Sequence, residues 1–357
     1  MKSSDVNARS AGFSSTHRFP WKWYLSDLDN VQKNGLKVFS CFSCGGGSSM
    51  GYKLAGYDVI GNVEIDPRVM KVYEANNHPR YPYLMDVRDF LNIPDNDLPE
   101  ELFQLDILDG SPPCSVFSTA GEREKGWNKE KVFREGQARQ KLDDLFFYFI
   151  RIAEKLKPRV VVAENVSGLL KGNAKGYVNE IFRAFDSAGY KAQLFLLNAA
   201  TMGVPQSRER CVFVCSRKDL KLPTIRLKFS EAPIYFGEVR TDCGGGEPDK
   251  LTKELLSKRR PGDKDLAYIN FRTSGKRVGF TNSIMSDKQV ALTVASGGSY
   301  FRMCDGQRLS TGDIIGVQSF PQDYNFLDQK PQYICGMSVP PVMMAQVAHE
   351  VYEQWLK

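Results

Sequence analysis

The segment DGSPPCSVFS, residues 109 to 118, sets a thiol, Cys114, directly behind two prolines. Each proline fixes its own φ and pushes the residue before it toward extended backbone, so the sulfur rides on a stiff loop. An unperturbed cysteine is only a few per cent thiolate at neutral pH, and a nucleophilic role needs cationic or helix-terminal help. Arg208 and Arg210, in GVPQSRERCVFV (203 to 214), are the cations on offer. Glu164 emerges from the apolar run VVVA, where burial would make it a proton donor near pH 7. Each residue also has an ordinary structural role open to it: a small thiol packed under a loop, arginines paired with acids, a glutamate capping a helix.

A second set of residues points to a ligand. Gly45, Gly46 and Gly47 form a loop that lets backbone approach a ligand closely. Glu64 follows at the distance where an acid can hydrogen-bond both hydroxyls of a ribose. Asp86, in YLMDVRDF, could accept from an adenine amino group or simply cap a helix. The pair of loop and acid specifies a nucleoside cofactor, and NAD, FAD and S-adenosylmethionine all fit.

These residues need strands and helices to hold them. LKVFSCFS (36 to 43) reads as a strand, MGYKLAG (50 to 56) as a helix, YDVIGNVEID (57 to 66) as a second strand and RVMKVYEANN as a helix. The rhythm returns at LDILDG, LDDLFFYFIRIAEKL, RVVVAEN, YVNEIFRAFDSAGY, KAQLFLLNA and RCVFVCS. Alternation of this kind predicts an α/β fold with a doubly wound, mostly parallel sheet. Ligands bind such sheets beyond the carboxyl ends of the strands. The glycine loop, Glu64, Asp86, Pro112-Pro113-Cys114 and Glu164-Asn165 all fall at strand ends, which offers one pocket.

Residues 1 to 35 are polar and aperiodic around WKWYL and are expected to be a loose extension. Residues 36–215 with 334–357 are expected to form the cofactor-binding domain, and 216–333, where the rhythm stops, a smaller one. The 357 residues are 42% hydrophobic and 25% charged, an ordinary globular balance that rules out wholesale disorder. No apolar run is long enough for a bilayer and no secretory signal is visible, so no membrane partner is expected. Eight cysteines without a regular framework suggest free thiols in a reducing compartment. Cys41 and Cys44 form a C-x-x-C with no second ligand pair, so no metal is expected. The net charge of +6 is concentrated near KELLSKRRPGDK (253 to 264) and FRTSGKRVGF (271 to 280), a patch that suits either a phosphate backbone or plain solvation.

From about residue 37 to 350 the chain resembles the DNA (cytosine-5)-methyltransferases of the bacterial type. The ordered set is F-S-C-G-G-G (42 to 47), V-E-I-D (63 to 66), D-V-R (86 to 88), S-P-P-C-S-V-F-S (111 to 118), E-N-V (164 to 166), Q-S-R-E-R (206 to 210), R-L-S-T-G-D-I-I-G-V-Q-S-F-P (308 to 321) and G-M-S-V-P-P (336 to 341). The resemblance implies an S-adenosylmethionine-dependent methyltransferase fold, a small target-recognition domain, and double-stranded DNA in the cleft between them with the cytosine rotated out of the stack. It implies that Cys114 attacks C6 of the base, that Glu164 holds and protonates N3, and that Arg208 and Arg210 orient the base and help keep Cys114 anionic. For the cofactor it implies Phe42, Gly45, Gly47, Glu64, Ile65, Asp86, Val87, Pro113, Leu145, Ser338 and Val339. Ser118 and Gln206 are expected at the DNA, with Arg272, Lys276 and Arg277 as base or phosphate contacts.

Four positions depart from the family pattern. Cys44 stands where a glycine is usual, Ser115 where glutamine often follows the nucleophile, Asp313 where glutamate is usual, and Met337 where asparagine often precedes Ser-Val. The first and last are expected to weaken cofactor binding without removing a reacting group. The stretch 118 to 141 is expected to close over flipped DNA. A monomer is expected, cytoplasmic and associated with the nucleoid if the source is bacterial, of the kind that serves restriction-modification systems. The same apparatus aimed at tRNA, a non-catalytic DNA-binding relative, and a dehydrogenase are the alternatives. The last leaves Pro-Cys, Glu-Asn-Val and the arginines without roles.

Overall fold

The computed structural model describes residues 17–113, 130–131, 140–141, 144–170, 174–276, 279 and 282–357. Cys114, Ser118 and Arg277, and most of the 118 to 141 stretch, lie outside the described residues.

Strand and helix alternate through the first half of the chain: β1 (Lys37–Cys41), α1 (Gly47–Leu54), β2 (Asp58–Glu64), α2 (Pro67–Asn77), β3 (Tyr81–Leu84), α3 (Val87–Asn92) and β4 (Ile107–Gly110). A two-residue antiparallel pair, β5 (Glu130–Lys131) and β6 (Gln140–Lys141), precedes α4 (Leu145–Leu156), β7 (Val160–Val166), α5 (Ala174–Ser187) and β8 (Tyr190–Asn198). Then come β9 (Gln206–Ser207) and β10 (Glu209–Arg217). Seven of these strands form one sheet in the order β3-β2-β1-β4-β7-β10-β8. All neighbours are parallel except β10, which runs antiparallel to both β7 and β8. The doubly wound, mostly parallel α/β fold expected from the alternation is the fold observed. The chain leaves β1 toward β3 on one side and returns to β4 on the other, and an order reversal of this kind opens a crevice at the strand ends.

Both faces of the sheet are covered, as the apolar runs require. Val38, Ile107, Val160, Val162, Val212 and Val214 point to one face, and Phe39, Leu108, Val161, Ala163 and Phe213 to the other, where Phe146, Phe149 and Ile181 from α4 and α5 pack on them. On the first face α1 crosses α11 (Pro341–Val351), and the crossing is close because of one glycine. A β-carbon on Gly51 would lie 2.4 Å from the Pro341 carbonyl oxygen and 2.7 Å from Cβ of Met344.

Between the sheet and α11 the chain forms α6 (Phe236–Val239), α7 (Lys250–Ser257), α8 (Leu266–Ser274), β11 (Ser283–Met285), β12 (Ala291–Leu292), β13 (Tyr300–Arg302), α9 (Thr311–Val317) and α10 (Pro331–Met337). Leu255, Leu256, Leu266, Ile269, Ile284 and Phe301 make a small core of their own, while Ile225, Phe236, Met285 and Val294 join the core of the main sheet. Asp313, the departure from glutamate, is fully buried. It takes hydrogen bonds from Arg302 on both oxygens at 2.7–2.8 Å and closes a capping box with Ser310. With both partners at zero exposure, a longer acid would have to displace one of them.

The loose N-terminal extension is corrected in part. Residues 17 to 30 lie against the body: Trp23 is buried and its indole N–H donates to the Ser319 carbonyl at 2.9 Å, with a 3-10 turn, Leu25–Asn30, following. A polar, aperiodic segment can be fixed by one large aromatic whose N–H finds an acceptor.

Candidate active site

Strand ends and glycine loop enclose a cavity of about 640 Å³, within the roughly 300–1,000 Å³ of small-ligand clefts. The loop between β1 and α1 turns through left-handed backbone at Phe42 (φ 54°), Cys44 (φ 46°) and Gly46 (φ 76°). Cys44 adopts it although it is not glycine, a conformation that costs about 1–2 kcal/mol for a residue with a β-carbon. Gly47 opens α1 so close to the C-terminal segment that a β-carbon there would meet the Val339 carbonyl oxygen at 2.1 Å.

Glu64 ends β2 and its carboxylate is held by three main-chain N–H groups, those of Cys44, Ile65 and Asp66, each at 2.9 Å. Burial pushes its pKa up while those N–H groups pull it down, and the upward effect prevails. Asp66 caps α2, and Asp86 caps α3 by accepting from the Arg88 N–H at 2.8 Å. Asp86 also pairs with the Arg88 guanidinium at 3.0 Å, yet both it and Val87 line the cavity. Phe42, Ile65, Leu145 and Val339 supply apolar wall. A carboxylate fixed at one end of a slot walled by Phe42, Ile65, Leu145 and Val339 fits an adenosine with its ribose on Glu64.

At the other end of the cavity Glu164 accepts from Nε of Arg210 at 2.7 Å, with both side chains nearly buried. Arg208 is wholly buried and takes a different role from the one expected beside the base. Its Nη1 donates to the Val294 carbonyl at 2.9 Å and its Nη2 to those of Gly336 and Ser338 at 2.8 and 3.0 Å, binding β10's approach to the C-terminal segment. Burial, and then the neighbouring Arg210, pull its pKa down to about 9, with Glu164 opposing them. Asn165 donates to the Pro112 carbonyl at 3.1 Å and so braces the loop that leads into Cys114. Pro112 and Pro113 line the same cavity as Glu164.

The structure thus brings together Phe42, Gly47, Glu64, Ile65, Asp86, Val87, Pro113, Leu145, Glu164, Arg208, Arg210, Ser338 and Val339. It does not bring Gly45, which faces α10: a β-carbon there would strike Ile334 at 2.1 Å. Gln206, expected at the DNA, is fully buried: its Oε1 accepts from the Val294 N–H and its Nε2 donates to the Val317 carbonyl. Arg272 ties α8 to the preceding loop through Asp263 at 2.8 Å and the Lys258 carbonyl. Lys276 is exposed. The sequence reasoning passed over Asp109, buried on β4 and lining the cavity together with Ser40 and Ser111. Its alternation with Ile107 along β4, with Ser111 just past the strand's end, was the signal. Among the described residues no His, Cys, Asp and Glu cluster could hold a metal ion, and no helix is long and apolar enough to cross a membrane.

The fold is thus a mostly parallel α/β sheet with one antiparallel strand, and its cleft carries a fixed carboxylate at one end and a Glu–Arg pair at the other. A prophage-encoded protein of E. coli described as a DNA modification methyltransferase has the same fold, with a TM-score of 0.67 at 19% identity over 90% of this chain and 100% of that one. DNMT2 of Spodoptera frugiperda superposes with a TM-score of 0.60 at 16% identity, over 89% and 100%. The model of the C-5 cytosine-specific DNA methylases matches residues 36–353, and the chain belongs to that family. It is 34% identical over 193 residues to the Type II methyltransferase M.NgoPII of Neisseria gonorrhoeae, covering 53% of this chain and 50% of that protein. To the Type II methyltransferase M1.HphI of Haemophilus parahaemolyticus it is 27% identical over 337 residues, 88% of this chain and 86% of that protein. The match to M.NgoPII therefore spans about half that relative's length.

Proposed function

We propose that this protein transfers a methyl group from S-adenosylmethionine to C5 of a cytosine flipped out of double-stranded DNA. The observation that carries the proposal is the Glu164–Arg210 pair, set in the same cavity as the Glu64 slot and as Pro113, the residue before Cys114. Bound S-adenosylmethionine supplies an electrophilic methyl group. Phe42, Glu64, Ile65, Asp86, Val87, Leu145 and Val339 hold its adenosine end.

The Cys114 thiolate adds to C6 of the pyrimidine, forming a C–S bond while the C5–C6 π electrons become available at C5. Glu164 gives its proton to N3, so negative charge does not accumulate on the ring. Arg210 fixes that carboxyl through Nε, and Arg208 acts at one remove by clamping the segments that carry Ser338 and Val294. Once C5 has taken the methyl group and S-adenosylhomocysteine is left as the other product, loss of the C5 proton to a base such as water expels the Cys114 thiolate, and N3 returns its proton to Glu164, which restores the ring. The region from 216 to 333 is assigned to reading the target, with exposed Lys276 and the basic stretch near it on the phosphates. In a bacterial source such a substrate would set the protein beside the nucleoid.

The test is expression in a methylation-free host followed by bisulfite sequencing of its DNA. Cytosines protected at one recurrent context are expected, with none in the Cys114→Ser variant. Unprotected DNA from an expressed, folded protein would overturn the proposal.

A further inference from the structure

Asp109 is 1% exposed and lines the cavity from β4, the strand between β1 and β7. Its Oδ2 accepts from the Ser40 hydroxyl at 2.7 Å and its Oδ1 from the Tyr52 hydroxyl of α1 at 3.3 Å. An ionised carboxylate can accept about four hydrogen bonds, so half of its capacity is unused. None of the described lysines or arginines forms an ion pair with it, and the two arginines of the cavity are taken, Arg210 by Glu164 and Arg208 by carbonyls. A buried acid without a cation is costly to keep charged, and burial pushes its pKa up to about 7. Together with Glu64 and Glu164 it gives the cavity an excess of acid over available base, a complement to a cationic ligand.

The strand order says which part of the ligand. Glu64 ends β2, the glycine loop leaves β1, Asp109 sits on β4 and Glu164 on β7. A donor with its ribose on Glu64 and its reacting end toward Glu164 crosses β1, and about two strand spacings, roughly 10 Å, bring it over β4. Two cationic groups then come within reach. A carboxylate against the sulfonium would stabilise a charge that vanishes during methyl transfer and so raise the barrier. The α-ammonium keeps its charge throughout and can be held without that penalty.

We propose that Asp109 is the binding residue for the α-ammonium group of the methyl donor's amino-acid end. The inference rests on the cofactor assignment above and adds a residue to it. Bound that way, the carboxyl must be ionised, so at pH below 7 the ligand's arrival releases its proton. The other groups facing it are Tyr52 of α1, Tyr73 of α2, Cys41 of β1 and Glu164 of β7.

Isothermal titration of the full chain separates the possibilities. The ligands are S-adenosylhomocysteine, which has the ammonium and no sulfonium, and 5′-methylthioadenosine, which lacks the amino-acid end. Asp109→Asn should weaken S-adenosylhomocysteine about 10- to 100-fold, the worth of a hydrogen bond to a charged group, and change methylthioadenosine less than about twofold. In kinetics the same variant should raise KM for the donor far more than it lowers kcat. In wild type, titrations at pH 6.5 in buffers of different ionisation enthalpy should show a proton released with S-adenosylhomocysteine and not with methylthioadenosine, a readout that needs no variant to fold. Equal proton release for the two ligands, or a variant that binds S-adenosylhomocysteine as wild type does or loses both ligands alike, overturns the inference alone. A wild type that binds neither ligand overturns the cofactor assignment along with it.

Discussion

In the antiparallel ladder of β7 and β10, Arg210 pairs with Val166 and Glu164 with Val212, which makes the two side chains diagonal neighbours and lets Nε of Arg210 donate to Glu164. Removing the proton while keeping the shape isolates the role of the acid. Glu164→Gln is expected to lower kcat by about 10²- to 10⁴-fold, the usual worth of general acid catalysis, with S-adenosylhomocysteine affinity unchanged in the same titration. Asp109 has an effect on stability as well as on binding. Its carboxyl titrates near 3.9 unfolded and about 7 folded, so between those values the folded chain binds more protons. Stability therefore falls as pH rises from about 4 to about 7 and levels off above. Urea unfolding of the ligand-free protein should show Asp109→Asn gaining on wild type, on the order of a few kcal/mol, at pH 8 but not at pH 4. Parallel pH profiles for the two proteins would contradict it.

At the scale of elements, the strands and helices of the sheet were legible because their apolar runs are continuous and their ends carry Gly, Pro, Asp and Glu. The antiparallel insertion of β10 between β7 and β8 was not: RCVFVCS and KAQLFLLNA have the same composition whichever way they run. The site followed the same division. Glu64 closes β2, Asp86 stands just past β3, and Glu164 is marked by the apolar run before it although β7 continues to Val166, whereas Asp109, one residue before the end of β4, looked like part of a strand. Gln206, Arg208 and Arg272 are polar residues of a kind that also bind DNA, and only their partners distinguish a structural tie from a contact. The glycine loop depends on α11 through α1. Gly51→Val is expected to force the crossing apart and cost about 1–3 kcal/mol, read as a lower urea midpoint with an unchanged slope. A midpoint equal to wild type would show that the contact yields without cost.

The whole molecule joins three parts around one cavity: the sheet, the irregular stretch from 216 to 333, and the C-terminal segment that Arg208 clamps to both. Trp23 adds the N-terminal residues by reaching Ser319, a contact between positions 296 apart that no local pattern foretells. Across the sheet the acids come in the order Glu64, Asp109, Glu164, and under the proposed function that order sets the direction in which the methyl donor lies. That arrangement has value only if the sulfur bonds to the ring. The direct measurement uses a duplex bearing 5-fluorocytosine at the position mapped by bisulfite sequencing, incubated with the protein and S-adenosylmethionine and run on a denaturing gel. Fluorine at C5 cannot leave as a proton does, so the expected result is a permanent protein–DNA adduct that Cys114→Ser fails to form. Absence of that adduct, in a preparation that methylates the unmodified duplex, would contradict covalent catalysis by Cys114.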